Sequence, residues 1–194
     1  NNVSGSPLIA LEEIMTALAQ RHKNNPPIHL YFNEYIKAKY DDLKSLIDGT
    51  QLSGSVKVHL LNADFPTAFA KWGEIHSEEE SKHIKTADLL FLDQNGTKQI
   101  TKEVFSRITS TDRTDFLFFI SSSYINRFKG QEQNRKGTPI EEADLINMTT
   151  KTSHRILCDA YKRWLPRGSE YYLAPFSIAK DHGSNVYGLI FGSR

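Results

Sequence analysis

Cysteine is almost missing from this sequence: Cys158 is the only one in 194 residues. A single thiol excludes an internal disulfide framework and any cysteine-rich zinc module. No apolar run approaches the roughly 18 residues that a membrane helix needs. Neither a P-loop nor a Gly-x-Gly-x-x-Gly turn occurs, which removes the commonest phosphate-cradling signatures. There is no Gly-x-Ser-x-Gly elbow, and the triple serine at 121–123 has no evident histidine partner, so hydrolase chemistry finds little support. The seven histidines are scattered without His-x-x-x-His spacing, so no metal site is expected. An excess of charge is lacking too. Lysine plus arginine (24) nearly cancels aspartate plus glutamate (23), and a net charge of +1 gives no global field for nucleic acid or membrane. A reducing, cytoplasmic compartment is the resulting expectation. The opening Asn1-Asn2-Val3-Ser4-Gly5-Ser6-Pro7, without an initiator methionine, reads as the front of a processed chain or a fragment.

What is present is a strand–helix alternation. Apolar residues make up 39% and aromatics 11%, enough for one domain spanning 1–194 that buries about 70% of its unfolded surface. Ser6 as cap and Pro7 at the first helical position open a helix whose face is Leu8, Leu11, Met15 and Leu18. Ile28–Phe32 reads as a strand, followed by a helix with Ile36, Tyr40, Leu43 and Ile47 on one side. Val56–Leu61 is a second strand, and a helix from about Pro66 to Trp72 precedes a polar stretch at Glu78-Glu79-Glu80. Ala87–Leu92 and Asp115–Ile120 are two further strands, separated by a helix around Lys102 to Ile108. Runs this uniformly apolar suggest strands covered by helices on both faces of a mostly parallel sheet. Residues 126–149 read as a long loop or short helical insertion, and Ser153 to Trp164 as a helix. Tyr171–Ile178 and Asn185–Phe191, joined at Asp181-His182-Gly183-Ser184, read as an antiparallel hairpin.

Three strands end in an acid, Glu34, Asp64 and Asp93, at separations of 30 and 29 residues. Regular β/α units would set these carboxylates along one sheet edge, where ligands of open parallel sheets bind. One can take ribose hydroxyls, one an exocyclic amine, and one can orient or deprotonate a substrate. Capping of the following helix stands beside that reading for each acid, and Asp64 before Phe65-Pro66 makes a good N-cap. At the same edge, Ser121, Ser122, Ser123 and Tyr124 with Arg127 suit an anionic or polar substrate, or simply a polar loop. His29 and His59 lie in strands and read as structural, and Cys158 as a small core residue.

Three stretches together resemble a known family: Gly5-Ser6-Pro7-Leu8-Ile9-Ala10-Leu11-Glu12, Phe91-Leu92-Asp93-Gln94-Asn95-Gly96, and Tyr187-Gly188-Leu189-Ile190-Phe191-Gly192-Ser193. In this order they resemble the bacterial three-Cys-motif partner proteins (TcmP), and Phe118-Phe119-Ile120-Ser121-Ser122-Ser123 is similar to some members. The resemblance spans essentially the whole chain. It implies a Rossmann-like, class I S-adenosylmethionine-dependent methyltransferase fold with seven strands, the last two forming a hairpin. It also implies S-adenosylmethionine as cofactor and a three-cysteine-motif protein, of radical-S-adenosylmethionine type, as partner. By position, Glu34 becomes the ribose acid, Ala63 and Asp64 face the adenine, and Asp93 with Asn95 meets the methyl acceptor. Ser121, Ser122, Tyr124 and Arg127 become substrate-binding residues.

Two departures accompany the resemblance. The family's first strand and its glycine-rich turn, resembling Asp-x-Phe-Ala-Gly-Pro-Gly, have no counterpart before Gly5-Ser6-Pro7, so six of seven strands are expected. The family's Asp-Pro-Phe-Gly is here Asp93-Gln94-Asn95-Gly96, which offers hydrogen bonds but no stacking face and argues against a nucleobase amine as acceptor. The alternative to an enzyme is a non-catalytic partner that uses the sheet as a scaffold. A third reading, a nucleic-acid module, rests on Lys162, Arg163 and Arg167 with Arg127, Lys129, Arg135 and Lys136, which equally fit a solvated face.

Overall fold

The computed structural model describes residues 5–21, 26–93, 98–120, 130, 137–149, 151–179 and 186–194. The protein is α/β, with helices α1 (Ser6–Ala19), α2 (Lys37–Asp48), α3 (Phe65–Ser81), α4 (Lys102–Ser110), α5 (Glu142–Ile146) and α6 (Ser153–Lys162). The strands are β1 (Ile28–Asn33), β2 (Val56–Leu61), β3 (Asp88–Leu92), β4 (Thr114–Ile120), β5 (Tyr172–Ala179) and β6 (Val186–Ser193). Two compact units, Asn1–Glu78 and Glu79–Arg194, each hold their own sheet. Among the described residues, no helix is long and apolar enough to cross a membrane.

In the first unit, β1 and β2 run parallel in register from Ile28 opposite Val56 to Asn33 opposite Leu61. A parallel pair needs a crossover, and α2 supplies it. Side chains alternate across the pair. Ile28, Leu30, Val56 and Val58 pack with Leu11, Ile14, Met15 and Leu18 of α1 into an apolar cluster. The cap of α1 differs from the expectation: Gly5 occupies it, in extended conformation and without a side-chain bond, and Ser6 is already helical. Helix α3 also runs well past Trp72, through Glu78-Glu79-Glu80 to Ser81. Consecutive glutamates are good helix formers, so polarity there does not break the helix.

In the second unit the strand order is β3-β4-β6-β5. β3 and β4 are parallel, with α4 as the crossover, and the hairpin of β5 and β6 is antiparallel as expected. β6 lies between β4 and β5 and runs antiparallel to both. One face of this sheet is fully packed: Thr114, Phe116, Phe118 and Ile120 of β4 are buried along with Phe105, Ile108, Leu157 and Tyr161. Rings interlock there, Phe105 lying 5.3 Å from Tyr161 and Phe118 5.0 Å from Tyr161 between centroids. The Tyr161 hydroxyl donates to the Ile100 carbonyl at 3.2 Å. Just before β5, the buried Tyr171 donates its hydroxyl to the Thr114 carbonyl at 2.6 Å, tying the hairpin to the first residue of β4.

The other face corrects the expectation of two-sided coverage. Leu89 and Phe91 of β3 are 70% and 54% exposed, and Phe176, Ile178 and Tyr187 are exposed beside them. The register places Phe91 opposite Leu117, Phe119 opposite Leu189 and Ile178 opposite Tyr187, so these side chains form one continuous apolar surface. Residues of α4 and α6 pack against the opposite side of β4, while among the described residues on this side Leu89, Phe91, Phe176 and Ile178 stay exposed. The two edges also differ. β5 carries Pro175, which has no N–H to offer a neighbouring strand, whereas Leu89 to Leu92 of β3 contain neither proline nor charge.

Candidate functional site

The parallel ladder of the first unit continues one step past the strands, Glu34 N–H donating to the Leu61 carbonyl at 3.0 Å. Beyond it, side chains stitch the two strand ends together. Asn33 Nδ2 donates to the Ala63 carbonyl at 3.0 Å, and Ala63 N–H donates to Asn33 Oδ1 at 3.2 Å. Asn62 Nδ2 donates to the carbonyls of Glu34 (2.8 Å) and Tyr35 (3.0 Å). The carboxyl end of β1 is thereby fixed against the carboxyl end of β2, and Glu34, Ala63 and Asp64 are brought together.

Each acid has one oxygen already engaged. Glu34 Oε1 accepts from Ile36 N–H at 2.8 Å, which orients the carboxylate at the entry to α2. Asp64 Oδ1 accepts from Thr67 N–H at 2.9 Å and caps α3, so the capping reading of this residue holds. Bonds from the Thr67 hydroxyl and backbone keep the exposed Asp64 carboxyl below the usual carboxylate range. Glu34 Oε2 remains for another partner, whereas Asp64 takes bonds from both the Thr67 backbone and the Thr67 hydroxyl. Asn33 and Asn62 are supports of the strand ends that sequence reasoning missed. The signal was an asparagine beside each strand-end acid, Asn33-Glu34 and Asn62-Ala63-Asp64.

In the second unit Asp93 follows the last residue of β3 and is exposed. It sits at the rim of a hollow of 780 Å³ on the bare sheet face, lined otherwise by Phe91, Leu117, Phe119, Ile178, Tyr187 and Leu189. The rings of Phe119 and Tyr187 meet at 5.6 Å. A single carboxylate on an apolar wall is suited to holding or deprotonating one polar group of an otherwise apolar ligand. Asn95, Ser121, Ser122, Tyr124 and Arg127 lie outside the described residues.

Other candidates are absorbed by the fold. Cys158 is buried, and burial pushes its thiol up to about 11, which removes it as a nucleophile near neutral pH. Lys162 pairs with Asp159 at 2.8 Å, and Arg163 forms a two-pronged pair with Asp144 at 3.2 and 2.5 Å. Two of the cations behind the nucleic-acid reading are therefore already neutralised, while Arg127, Lys129, Arg135 and Lys136 lie outside the described residues. Among the described residues, no group of three histidine, cysteine or acidic side chains could hold a metal ion.

No protein-family model matches the chain, and neither the curated proteins nor the solved structures yield a match.

Proposed function

We propose that this chain is an S-adenosylmethionine-dependent methyltransferase-like protein of the three-Cys-motif partner type. The observation that carries the reading is the stitched carboxyl end of β1 and β2, where Glu34 follows one strand and Asp64 the other. Ligands of parallel α/β sheets bind at this end of the strands. These acceptors suit a nucleoside: Glu34 Oε2 can accept from ribose hydroxyls, and the Asp64 carboxylate, with lone pairs beyond those Thr67 uses, from an exocyclic amine. The Ala63 backbone is spent on Asn33, so Ala63 contributes a small wall rather than a hydrogen bond.

The strand order β3-β4-β6-β5, with the reversed β6 inserted between β4 and β5, supports a class I methyltransferase sheet. That fold has one strand more than the six among the described residues, and the edge of β3, without proline or charge from Leu89 to Leu92, suits an additional neighbour. When bound, the cofactor supplies a methyl group on a sulfonium, ready for displacement by a nucleophile. Asp93 would orient the acceptor and take the proton it releases. The apolar residues around Asp93 would give the acceptor's carbon skeleton a wall to lie against. Asn95 would add a hydrogen bond to the acceptor.

Calorimetry with S-adenosylmethionine tests the reading. Saturable binding by the protein is expected, weakened about tenfold, or about 1.4 kcal/mol, by Glu34→Ala. Absence of binding by the folded protein overturns it.

The bare apolar face around Phe91, Ile178 and Tyr187 favours a second reading, a non-catalytic scaffold that engages a three-cysteine-motif protein. Stoichiometric co-purification with such a protein, unaffected by Asp93→Ala and lost with Phe91→Lys, would establish it over the enzyme.

A further inference from the structure

The two histidines that read as structural in the sequence are not absorbed by the core. On the side of the β1–β2 pair opposite α1, the register sets His29 across from Lys57 and Tyr31 across from His59. The rings of Tyr31 and His59 stack at 4.4 Å with an interplanar angle of 10°. His29 lies 5.2 Å from His59 between centroids. His29, Tyr31 and Lys57 are exposed, and His59 is half-buried. This surface is a sheet face at mid-strand, separate from the acids beyond the strand ends.

Its electrostatics are one-sided. Burial lowers the pKa of His59, and the charges of His29 and Lys57 lower it further, with no carboxylate among the groups acting on it. His59 Nε2 is buried and without a hydrogen-bond partner. A buried nitrogen that finds no acceptor is better left without its proton, which puts the proton of the neutral ring on Nδ1. The stack on Tyr31 then holds that N–H in a fixed direction. One imidazole N–H of fixed direction, a second imidazole beside it and an ammonium across the strand make a set of donors, and no carboxylate is among the charges acting on His59.

We propose that His29, Lys57 and His59 form a binding site for the phosphate group of a small molecule, with Tyr31 as its wall. A phosphate presents three terminal oxygens to three donors, whereas a carboxylate presents two. A divalent cation is disfavoured by the Lys57 ammonium and by the absence of a carboxylate among the charges on His59. The near-zero net charge of the chain favours a small phosphate over the backbone of a nucleic acid. The proposal stands independently of the cofactor reading, since it uses neither Glu34 nor Asp64.

Histidine side-chain NMR on the whole protein tests it, with inorganic phosphate as the first probe and a simple phosphate monoester as the second. The expected result is a saturable shift of the His29 and His59 ring signals that chloride at equal ionic strength does not reproduce. His59 should be found as the Nδ1–H tautomer. Lys57→Gln, at an exposed position that leaves the fold intact by circular dichroism, should weaken phosphate binding about tenfold. Unmoved ring signals at tens of millimolar phosphate overturn the proposal, as does unchanged affinity in Lys57→Gln. Saturation by zinc without any response to phosphate makes the cluster a metal site and also overturns it. Binding of a single-stranded oligonucleotide, steeply salt-dependent and much tighter than binding of the monoester, overturns the small-molecule assignment.

Discussion

The ring of Phe116 lies directly over the Cα of Gly192, its cross-strand neighbour in the β4–β6 ladder. The space a side chain would fill at 192 is already taken by that ring, which is fully buried. Glycine is required here for close approach, since any Cβ would overlap the aromatic carbons. Gly192→Ala is therefore expected to cost about 1–3 kcal/mol in urea unfolding. Gly192→Ala combined with Phe116→Leu should cost less than the sum of the two single changes, because the smaller side chain makes room for the new methyl group.

Cys158 gives a prediction in alkaline solution. A thiol held up to about 11 in the folded chain keeps its proton where the unfolded chain, with a pKa of about 8.5, has lost it. The resulting stabilisation is complete below pH of about 8.5 and is lost as pH rises toward 11. Unfolding free energies of the protein and of Cys158→Ala, measured from pH 8 upward, should converge with rising pH. Native Cys158 should also resist alkylation that proceeds readily in urea.

Asp144 works at the acid end. Burial acts to raise its pKa, but the hydrogen bond from Arg163, the Glu141 backbone N–H and the Arg163 charge outweigh that and hold it low. The pair thus stabilises the fold above the ordinary carboxylate pKa of about 3.9, and the contribution is lost as pH falls through the lower folded value. Asp144→Ala also removes the acceptor for Glu141 N–H at the start of α5. A loss of about 1–2 kcal/mol near neutral pH, shrinking on acidification, is expected from denaturation curves.

Asp64 separates capping from ligand binding. Asp64→Ser keeps an oxygen for Thr67 N–H and should leave thermal stability nearly unchanged. The same change removes the second carboxylate oxygen, so S-adenosylmethionine binding should weaken several-fold by calorimetry. Asp64→Ala should lose both, with a lower melting temperature than Asp64→Ser.

The bare sheet face can be probed at Phe91. Because its ring is 54% exposed, Phe91→Lys should change unfolding free energy by no more than about 0.5 kcal/mol. It should also reduce the fluorescence of a dye that binds exposed apolar surface. A loss of several kcal/mol would mean that the face is covered in solution.

The strands were the most legible part of the sequence because each is a short apolar run closed by turn residues, as at Leu89–Leu92 and Phe116–Ile120. The hairpin was legible for the same reason. Coverage was not, since apolar residues at both parities look alike whether one face or two is packed: Phe116 and Phe118 are buried, while Phe91 across the sheet is open. The end of α3 was misread because Glu78-Glu79-Glu80 is polar, although nothing in glutamate opposes a helix. Of the candidate site, the place of Glu34, Asp64 and Asp93 after strands was legible, and Asp64 does cap α3. The Asn33–Ala63 and Asn62–Glu34 bonds were not, because they join residues about 30 positions apart and follow from register alone.

The unequal edges of the second sheet give it a direction of growth. A strand added beside β3 would meet neither proline nor charge from Leu89 to Leu92, whereas one added beside β5 would meet Pro175, which has no N–H to give. The additional strand of the proposed fold and a second copy of the chain would therefore compete for one margin. Whichever fills it first leaves the other only the side that a proline interrupts.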